Sequence, residues 1–198
     1  MTDLKRLLDV AVSAGLLVVS APLLVGASIA VAVETPGGVL FRQERVGLHG
    51  RTFRIRKFRT MRTDPAGTLV TVAGDRRITG TGRLLRSTKL DELPQLFDVL
   101  QGRMSLVGPR PEVPRYVAMW PAELREEILS VRPGITDPMS VELRREAEIL
   151  AAQDDPERHY VEVLLPRKAA GYAHYVRTRS LVGDLRILGT TVRAVLTS

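Results

Sequence analysis

Residues 10–33 read VAVSAGLLVVSAPLLVGASIAVAV and contain no charged side chain. As a helix they would extend roughly 36 Å, enough to cross a hydrocarbon core of about 30 Å. A cleavable signal peptide fits poorly. The apolar run exceeds the usual core of about 7 to 15 residues, and Glu34-Thr35-Pro36 follows without a small-x-small cleavage site. The flanks bear on how the segment sits. Lys5 and Arg6 precede it, and eight basic residues lie between Arg42 and Arg62, so both ends favour the cytoplasmic side. Pro22 stands near the middle, where it removes a backbone bond to the carbonyl of Val18, and the Ser20 hydroxyl is placed to satisfy a freed backbone group. The residues leave two arrangements open: a re-entrant helix hairpin, or a spanning helix with a proline kink.

Outward from this segment, the remaining length and the 44% hydrophobic content suffice for one folded domain. The chain has no cysteine, which excludes disulfide scaffolds and thiolate metal sites. A net charge of +7 favours anionic partners. Aromatic residues make up only 5% of the chain and do not interleave with basic ones, so nucleic acid is not expected as a partner. Pro36-Gly37-Gly38 marks a turn, and Val39–Arg42 and Thr52–Arg56 are predicted as a small β-hairpin joined through Gly47-Leu48-His49-Gly50. Residues 64–82, with five glycines and prolines, are expected to form a loop leading into a helix over Arg83–Leu100. Further helical patterns cover 121–131, 141–153 and 156–176, broken at Pro133-Gly134 and Asp155-Pro156. Near the C-terminus, Leu181, Leu185, Leu188, Val192 and Val195 recur at helical spacing, with Arg179, Arg186 and Arg193 elsewhere around the same helix. Such a helix either lies in the bilayer interface or packs on the core with a solvated face. The expected fold class is α/β, mostly helical: a membrane helix over 1–36, then a catalytic domain over 37–198 with a small β-hairpin and interfacial amphipathic helices.

The chemistry concentrates in GRLLRSTKLDELPQLFDVLQGRMSLVGPRPE, residues 82–112, which sets Asp91 and Glu92 side by side. Pro94 is tolerated only in a first helical turn, so a helix is expected to begin close to Asp91, where free amides and the helix dipole favour an anion. A plain N-cap at Asp91 is weakened because Pro94, at the third helical position, has no N–H to donate. Arg86 precedes the pair by five residues, and Arg110 sits in Gly108-Pro109-Arg110-Pro111, stiffened by two prolines. Lys57 adds a further cation at the end of the hairpin. Each alone would be read as a surface ion pair. Two adjacent carboxylates among several cations suit phosphoryl transfer, in which a carboxylate attacks phosphorus and a divalent metal neutralises oxygens. His49, His159 and His174 show no metal-ligand spacing, and no Walker or GxGxxG loop is present.

These residues carry a family likeness. Lys5-Arg6-Leu7-Leu8-Asp9, the stretch 41–47 (FRQERVG), Lys57-Phe58-Arg59, the stretch 90–95 (LDELPQ) and the stretch 104–111 (MSLVGPRP) occur in order, and together they resemble the bacterial small monotopic polyprenyl-phosphate phosphoglycosyl transferases. The resemblance implies a re-entrant hairpin, broken near Ser20 and Pro22, that dips into the cytoplasmic leaflet of the bacterial inner membrane, with the active site on the cytoplasmic face. It also implies transfer of a sugar 1-phosphate from a UDP-sugar to polyprenyl (undecaprenyl) phosphate with release of UMP. In that scheme Asp91 attacks the sugar-linked phosphate to form an aspartyl intermediate. Glu92 holds Mg²⁺ with Asp91 or assists the acceptor, and Lys57, Arg86, Arg110 and Arg132 bind phosphates. The chain departs from the family in two places. Ala21 separates Ser20 from Pro22, and Asp137-Pro138-Met139-Ser140 stands where many members have a glycine followed by Trp-Ala-Gln, so the sugar specificity is expected to differ. Direct displacement without an aspartyl intermediate, and a non-catalytic basic membrane anchor, are the competing readings. The identity of the sugar and a homodimeric state are left open by the sequence.

Overall fold

The structure, a computed structural model, describes residues 2–62 and 70–196. Residues 63–69, part of the expected glycine- and proline-containing loop, lie outside it.

The apolar segment forms one helix, α1 (Thr2–Glu34), which runs through Pro22. Along it Asp9, Ser13, Leu17, Leu24, Ala27 and Val31 recur at helical spacing on a stripe turned towards the rest of the protein. Ser13 and Val31 are almost wholly covered, at 0% and 1% exposed. The opposite face is apolar and open, with Val18, Val19 and Val33 between 76% and 83% exposed. Two separate helices forming a hairpin, as the resemblance implied, are not seen. Both halves rest on the same body: Leu17 packs with Leu96, Leu106 and Val107, while Leu24, Ala27 and Val31 pack with Phe58 and Leu85. The helix thus continues through Pro22 despite the backbone bond lost there. Ser20 Oγ donates to the Leu16 carbonyl at 2.6 Å, an i−4 back-bond, rather than to the carbonyl that Pro22 leaves free.

The N-terminal motif docks this helix. Lys5 Nζ pairs with Asp184 at 2.5 Å, Arg6 Nη2 donates to the Leu100 carbonyl at 3.2 Å, and Asp9 accepts from Ser105 Oγ at 2.7 Å and from the Leu106 amide at 3.2 Å.

After α1 come β1 (Leu40–Val46) and β2 (Thr52–Phe58), an antiparallel hairpin joined by a short 3₁₀ turn at Leu48–Gly50. Both strands run longer than expected, because polar Gln43-Glu44-Arg45 pair in register with Ile55, Arg54 and Phe53. The helix expected over 83–100 is in three pieces: α2 (Gly80–Ser87), a 3₁₀ segment Leu90–Gln95, and α3 (Leu96–Leu100). Lys89 causes the break, its backbone being left-handed at φ 57°.

Two three-residue strands, β3 (Ser105–Val107) and β4 (Gly134–Thr136), pair in parallel. They were not foreseen, being too short to show a period. The other helices are α4 (Pro114–Val117), α5 (Ala122–Ile128), α6 (Pro138–Glu142), α7 (Glu146–Ala151), α8 (Pro156–His159), α9 (Leu165–Thr178) and α10 (Leu181–Leu196), with a π turn at Tyr160–Leu164 between α8 and α9. The largest core cluster lies among these helices, around Trp120, Leu150, Leu165 and Tyr172. The fold is thus mostly helical around two very small sheets.

In α10 the inward stripe is not the one the leucines suggest. Leu181 and Leu188 are half-buried, but Leu185 and Val192 point outward, 62% and 57% exposed. The side chain of Val195 lies outside the described residues. The inward positions between the leucines are polar and satisfied: Asp184 accepts from Lys5 and from Tyr175 Oη at 2.8 Å, and Thr191 Oγ1 lies 2.7 Å from Thr136 Oγ1.

Candidate active site

Three segments converge on the acidic pair. The end of β2 brings Lys57, the 3₁₀ segment brings Asp91 and Glu92, and the loop after β3 brings Arg110. The 3₁₀ segment is a consequence of sequence. Left-handed Lys89 ends α2, and Pro94 prevents a regular helix from forming before Leu96. The helical stretch thus begins at Leu90, close to Asp91 as expected, but its first turns are 3₁₀ and Lys89 is its cap, so Asp91 lies within the first turn and is not a cap.

The loop carrying Arg110 is held by its backbone. Gly108 and Gly134 approach so closely that a Cβ on either would overlap the other's main chain, so only glycine fits at this contact. The Gly108 amide donates to the Thr136 carbonyl at 3.1 Å, and the Gly134 amide to the Pro109 carbonyl at 2.9 Å. From this base Arg110 Nη1 reaches the Ile135 carbonyl at 3.1 Å and Glu92 Oε2 at 3.2 Å, while Nη2 bonds Glu92 Oε1. This is the two-pronged contact for which guanidinium is suited. Lys57 Nζ donates to Glu92 Oε1 at 2.7 Å.

The two carboxylates are thus in different states. Both oxygens of Glu92 are engaged by cations. Asp91 is 7% exposed, and its carboxylate takes no hydrogen bond or ion pair from the described residues. Burial and the neighbouring Glu92 charge raise the Asp91 pKa, opposed by Lys57, Arg86 and Lys89. Burial also disfavours the Glu92 anion, but Arg110 and Lys57 outweigh it and hold that carboxyl well below the usual range. Glu92 in turn raises the pKa of Arg110. Desolvation lowers that of Lys57, against the pull of Glu92.

Arg86, from the last turn of α2, faces Asp91 with only loose contacts, 3.4 Å from each of Thr60 Oγ1 and Met61 Sδ. Arg132 is placed elsewhere: its Nε donates to the Gly102 carbonyl at 2.8 Å, with Arg6 as the neighbouring charge. Ser20 and Pro22 remain within α1.

Two supporting carboxylates were not singled out from sequence. Asp98, fully buried on α3, accepts from the Arg56 amide at 3.1 Å and pairs with its guanidinium, fixing α3 to the strand that carries Lys57. Glu112 accepts from Tyr160 Oη at 2.5 Å and from Arg45 Nη1 at 3.4 Å, and lies 3.8 Å from Lys168 Nζ. Arg45 also holds the Pro111 carbonyl, at 3.1 Å. A sequence signal was present for Glu112, which directly follows the stretch 104–111 and whose partner Arg45 lies within the stretch 41–47.

Among the described residues no group of three or more metal-ligating His, Asp or Glu side chains converges. Magnesium, however, typically uses one or two carboxylates with substrate phosphates and water. Asp91 is open to that role, while Glu92 already accepts from Lys57 and Arg110.

A buried, unpartnered aspartate ringed by phosphate-type cations agrees with what comparison of the whole sequence shows. A family model described as "Bacterial sugar transferase" matches residues 1–198. The chain belongs to this bacterial sugar transferase family. A UDP-glucose:undecaprenyl-phosphate glucose-1-phosphate transferase of Caulobacter vibrioides is 42% identical over 199 residues, covering 98% of this chain and 70% of that protein. An exopolysaccharide production protein PSS of Rhizobium leguminosarum bv. phaseoli is 37% identical, covering 98% and 96%. A UDP-N-acetylgalactosamine-undecaprenyl-phosphate N-acetylgalactosaminephosphotransferase of Aeromonas hydrophila is 34% identical over 98% of this chain, which spans 44% of it. This sugar transferase is therefore set among enzymes named for moving sugar phosphates to undecaprenyl phosphate.

Proposed function

We propose that this sugar transferase moves a sugar 1-phosphate from a UDP-sugar to undecaprenyl phosphate, in two displacements at one phosphorus. An Asp91 oxygen attacks the sugar-linked phosphorus. The bond to the bridging oxygen breaks, and UMP leaves with that oxygen. An oxygen of polyprenyl phosphate then attacks the same phosphorus and displaces the Asp91 carboxylate, giving polyprenyl-diphosphate-sugar. The observation that carries this reading is the division within the acidic pair: Glu92 is locked between Lys57 and Arg110, while Asp91 has no partner. A nucleophile needs an open lone pair. A carboxylate that only balanced cations would sit where Glu92 sits.

The cations have separable tasks. Lys57 and Arg110 anchor Glu92 and present positive charge where the diphosphate would lie, and loosely held Arg86 is free to turn onto a phosphate oxygen beside Asp91. Asp91 together with the donor's diphosphate would hold Mg²⁺, which when bound offsets the charge that develops on the departing phosphate. Raising the Asp91 pKa towards neutrality leaves it a better nucleophile than an ordinary surface carboxylate.

The open apolar face of α1 is proposed to rest in the membrane. It does not stand alone, because Leu84 on α2, Phe97 on α3 and Leu185 on α10 are also outward-facing and apolar, and α2 and α3 pack beside α1. A helix seated on the body along its whole length is suited to entering one leaflet with both ends on the cytoplasmic side.

The test is UMP release from a panel including UDP-glucose and UDP-N-acetylgalactosamine, by purified protein with undecaprenyl phosphate and Mg²⁺. Multiple-turnover release that requires both the acceptor and Asp91 is expected, with no more than about one UMP per enzyme when the acceptor is left out. Equal release from Asp91→Asn would refute the assignment.

A further inference from the structure

The last residue of α1 reaches the helix that carries Arg86. Glu34 accepts from the Gly80 amide through Oε1 and from the Thr81 amide through Oε2, both at 2.7 Å. These are opening amides of α2, which have no partner inside their own helix. Thr79 Oγ1 takes the next amide, that of Gly82, at 2.9 Å. The start of α2 is thus capped partly from within and partly from an element some 46 residues away. Two further contacts fix its pose. Gly82 lies against the Thr60 main chain with no room for a Cβ, and Leu85 is buried with Ala27, Val31 and Phe58.

At the other end of α2, Arg86 faces Asp91 and, among the described residues, is held by two contacts of 3.4 Å. A guanidinium so loosely tied takes its position from its helix, and the helix takes its position from α1 together with Phe58 and Thr60, at and just beyond the end of β2. We propose that Glu34 is a positioning residue that sets Arg86 over the reacting phosphate and links the seating of the membrane-facing helix to donor binding. The proposal rests on the phosphoglycosyl transfer reading for the role of Arg86. The capping contact itself does not depend on that reading.

If Glu34 served only to stabilise α2, its removal would cost the same whether or not Arg86 were present. If it positions Arg86, the two losses would not add. The experiment uses the full chain in lipid nanodiscs: wild type, Glu34→Ala, Glu34→Gln, Arg86→Ala and the double variant Glu34→Ala/Arg86→Ala. Steady-state turnover of the UDP-sugar is followed, together with amide hydrogen exchange across residues 80–87.

Glu34→Ala is expected to lower kcat/KM about tenfold, mainly through the donor KM, with Glu34→Gln between it and wild type because one acceptor remains. In the Arg86→Ala background the same change is expected to cost less than about twofold. Exchange over residues 80–87 is expected to quicken in Glu34→Ala. Equal losses in both backgrounds, wild-type kinetics in Glu34→Ala, or unchanged exchange would each overturn the proposal. Should Glu34→Ala fail to fold, Glu34→Gln carries the same comparison. A wild type that turned over no donor would count against the transfer reading alone, and the exchange measurement would then decide the capping role by itself.

Discussion

Two clusters of buried charge lie on either side of the loop that carries Arg110, and they are built differently. Around Glu112 the carboxylate is closed in: Tyr160 and Arg45 donate to it, and Lys168 turns to Glu146 at 2.8 Å with the Tyr160 ring beneath it at 4.8 Å, although the buried Arg45 Nε has no partner among the described residues. Around the acidic pair the closure stops halfway, with Glu92 saturated and Asp91 left without a partner. A network that only holds the fold gains by satisfying every member, since a buried polar group without a partner costs free energy. On the proposed transfer reading, the open Asp91 carboxylate is kept for the donor phosphate.

The largest effect should come from closing that opening. Asp91→Asn keeps the shape and removes both the nucleophile and a buried charge. Turnover should fall by about 10³-fold or more. The melting temperature should rise by about 2–4 °C at neutral pH. Activity and calorimetry on one preparation test both, and a loss of activity accompanied by a lower melting temperature would mean that Asp91 is structural. Next in size, Arg110→Lys should reduce kcat/KM about 100-fold, because an ammonium cannot span both Glu92 oxygens and the Ile135 carbonyl at once.

Glu112→Ala should show the opposite pattern. Removing one partner from a buried charge network should cost about 3 kcal/mol of stability in denaturant unfolding. Turnover per folded molecule should change much less than in Arg110→Lys. If the two variants behaved alike, the contrast between the clusters would collapse.

The pH dependence sharpens the comparison within the pair. The raised pKa of Asp91 means that the folded protein binds this proton more tightly than the unfolded chain. Its contribution to stability is therefore present at low pH and is lost as pH rises through the raised value. The reactive carboxylate appears over the same interval. Glu92 has the opposite sign: its depressed pKa adds stability above the ordinary carboxylate value, lost as pH falls through the depressed one. The acid limb of kcat/KM should accordingly lie above the usual aspartate range, and a limb at or below it would contradict the assignment. The smallest effect is expected from Arg132→Ala, less than about fivefold, since its side chain turns to Gly102 and Arg6 and away from the pair.

Sequence made the cluster legible because its parts lie in short motifs with strong local constraints. Pro94 and the two prolines around Arg110 restrict the backbone, and Lys57 ends a recognisable strand. What escaped was set by tertiary contact. The local sequence stiffens the backbone at Arg110 more than at Arg132, but it does not say where either side chain goes; the fold sends one to Glu92 and the other to Gly102. The break at Lys89 hides inside a helical pattern because a left-handed residue other than glycine or asparagine has no clear signature. The inward face of α10 could not be read from hydrophobicity, because Asp184 and Thr191 are polar yet satisfied there while Leu185 and Val192 face outward. In α1, composition described the apolar length correctly, but that the helix continues through Pro22 could not be read from it.

The account turns on whether Asp91 bonds to the transferred phosphorus. The most direct measurement is exchange of labelled UMP into a UDP-sugar by the wild-type protein with Mg²⁺ and no polyprenyl phosphate. Exchange that proceeds without acceptor and disappears in Asp91→Asn is the predicted result. Acceptor-dependent turnover with no exchange in its absence would contradict it and leave direct displacement as the mechanism.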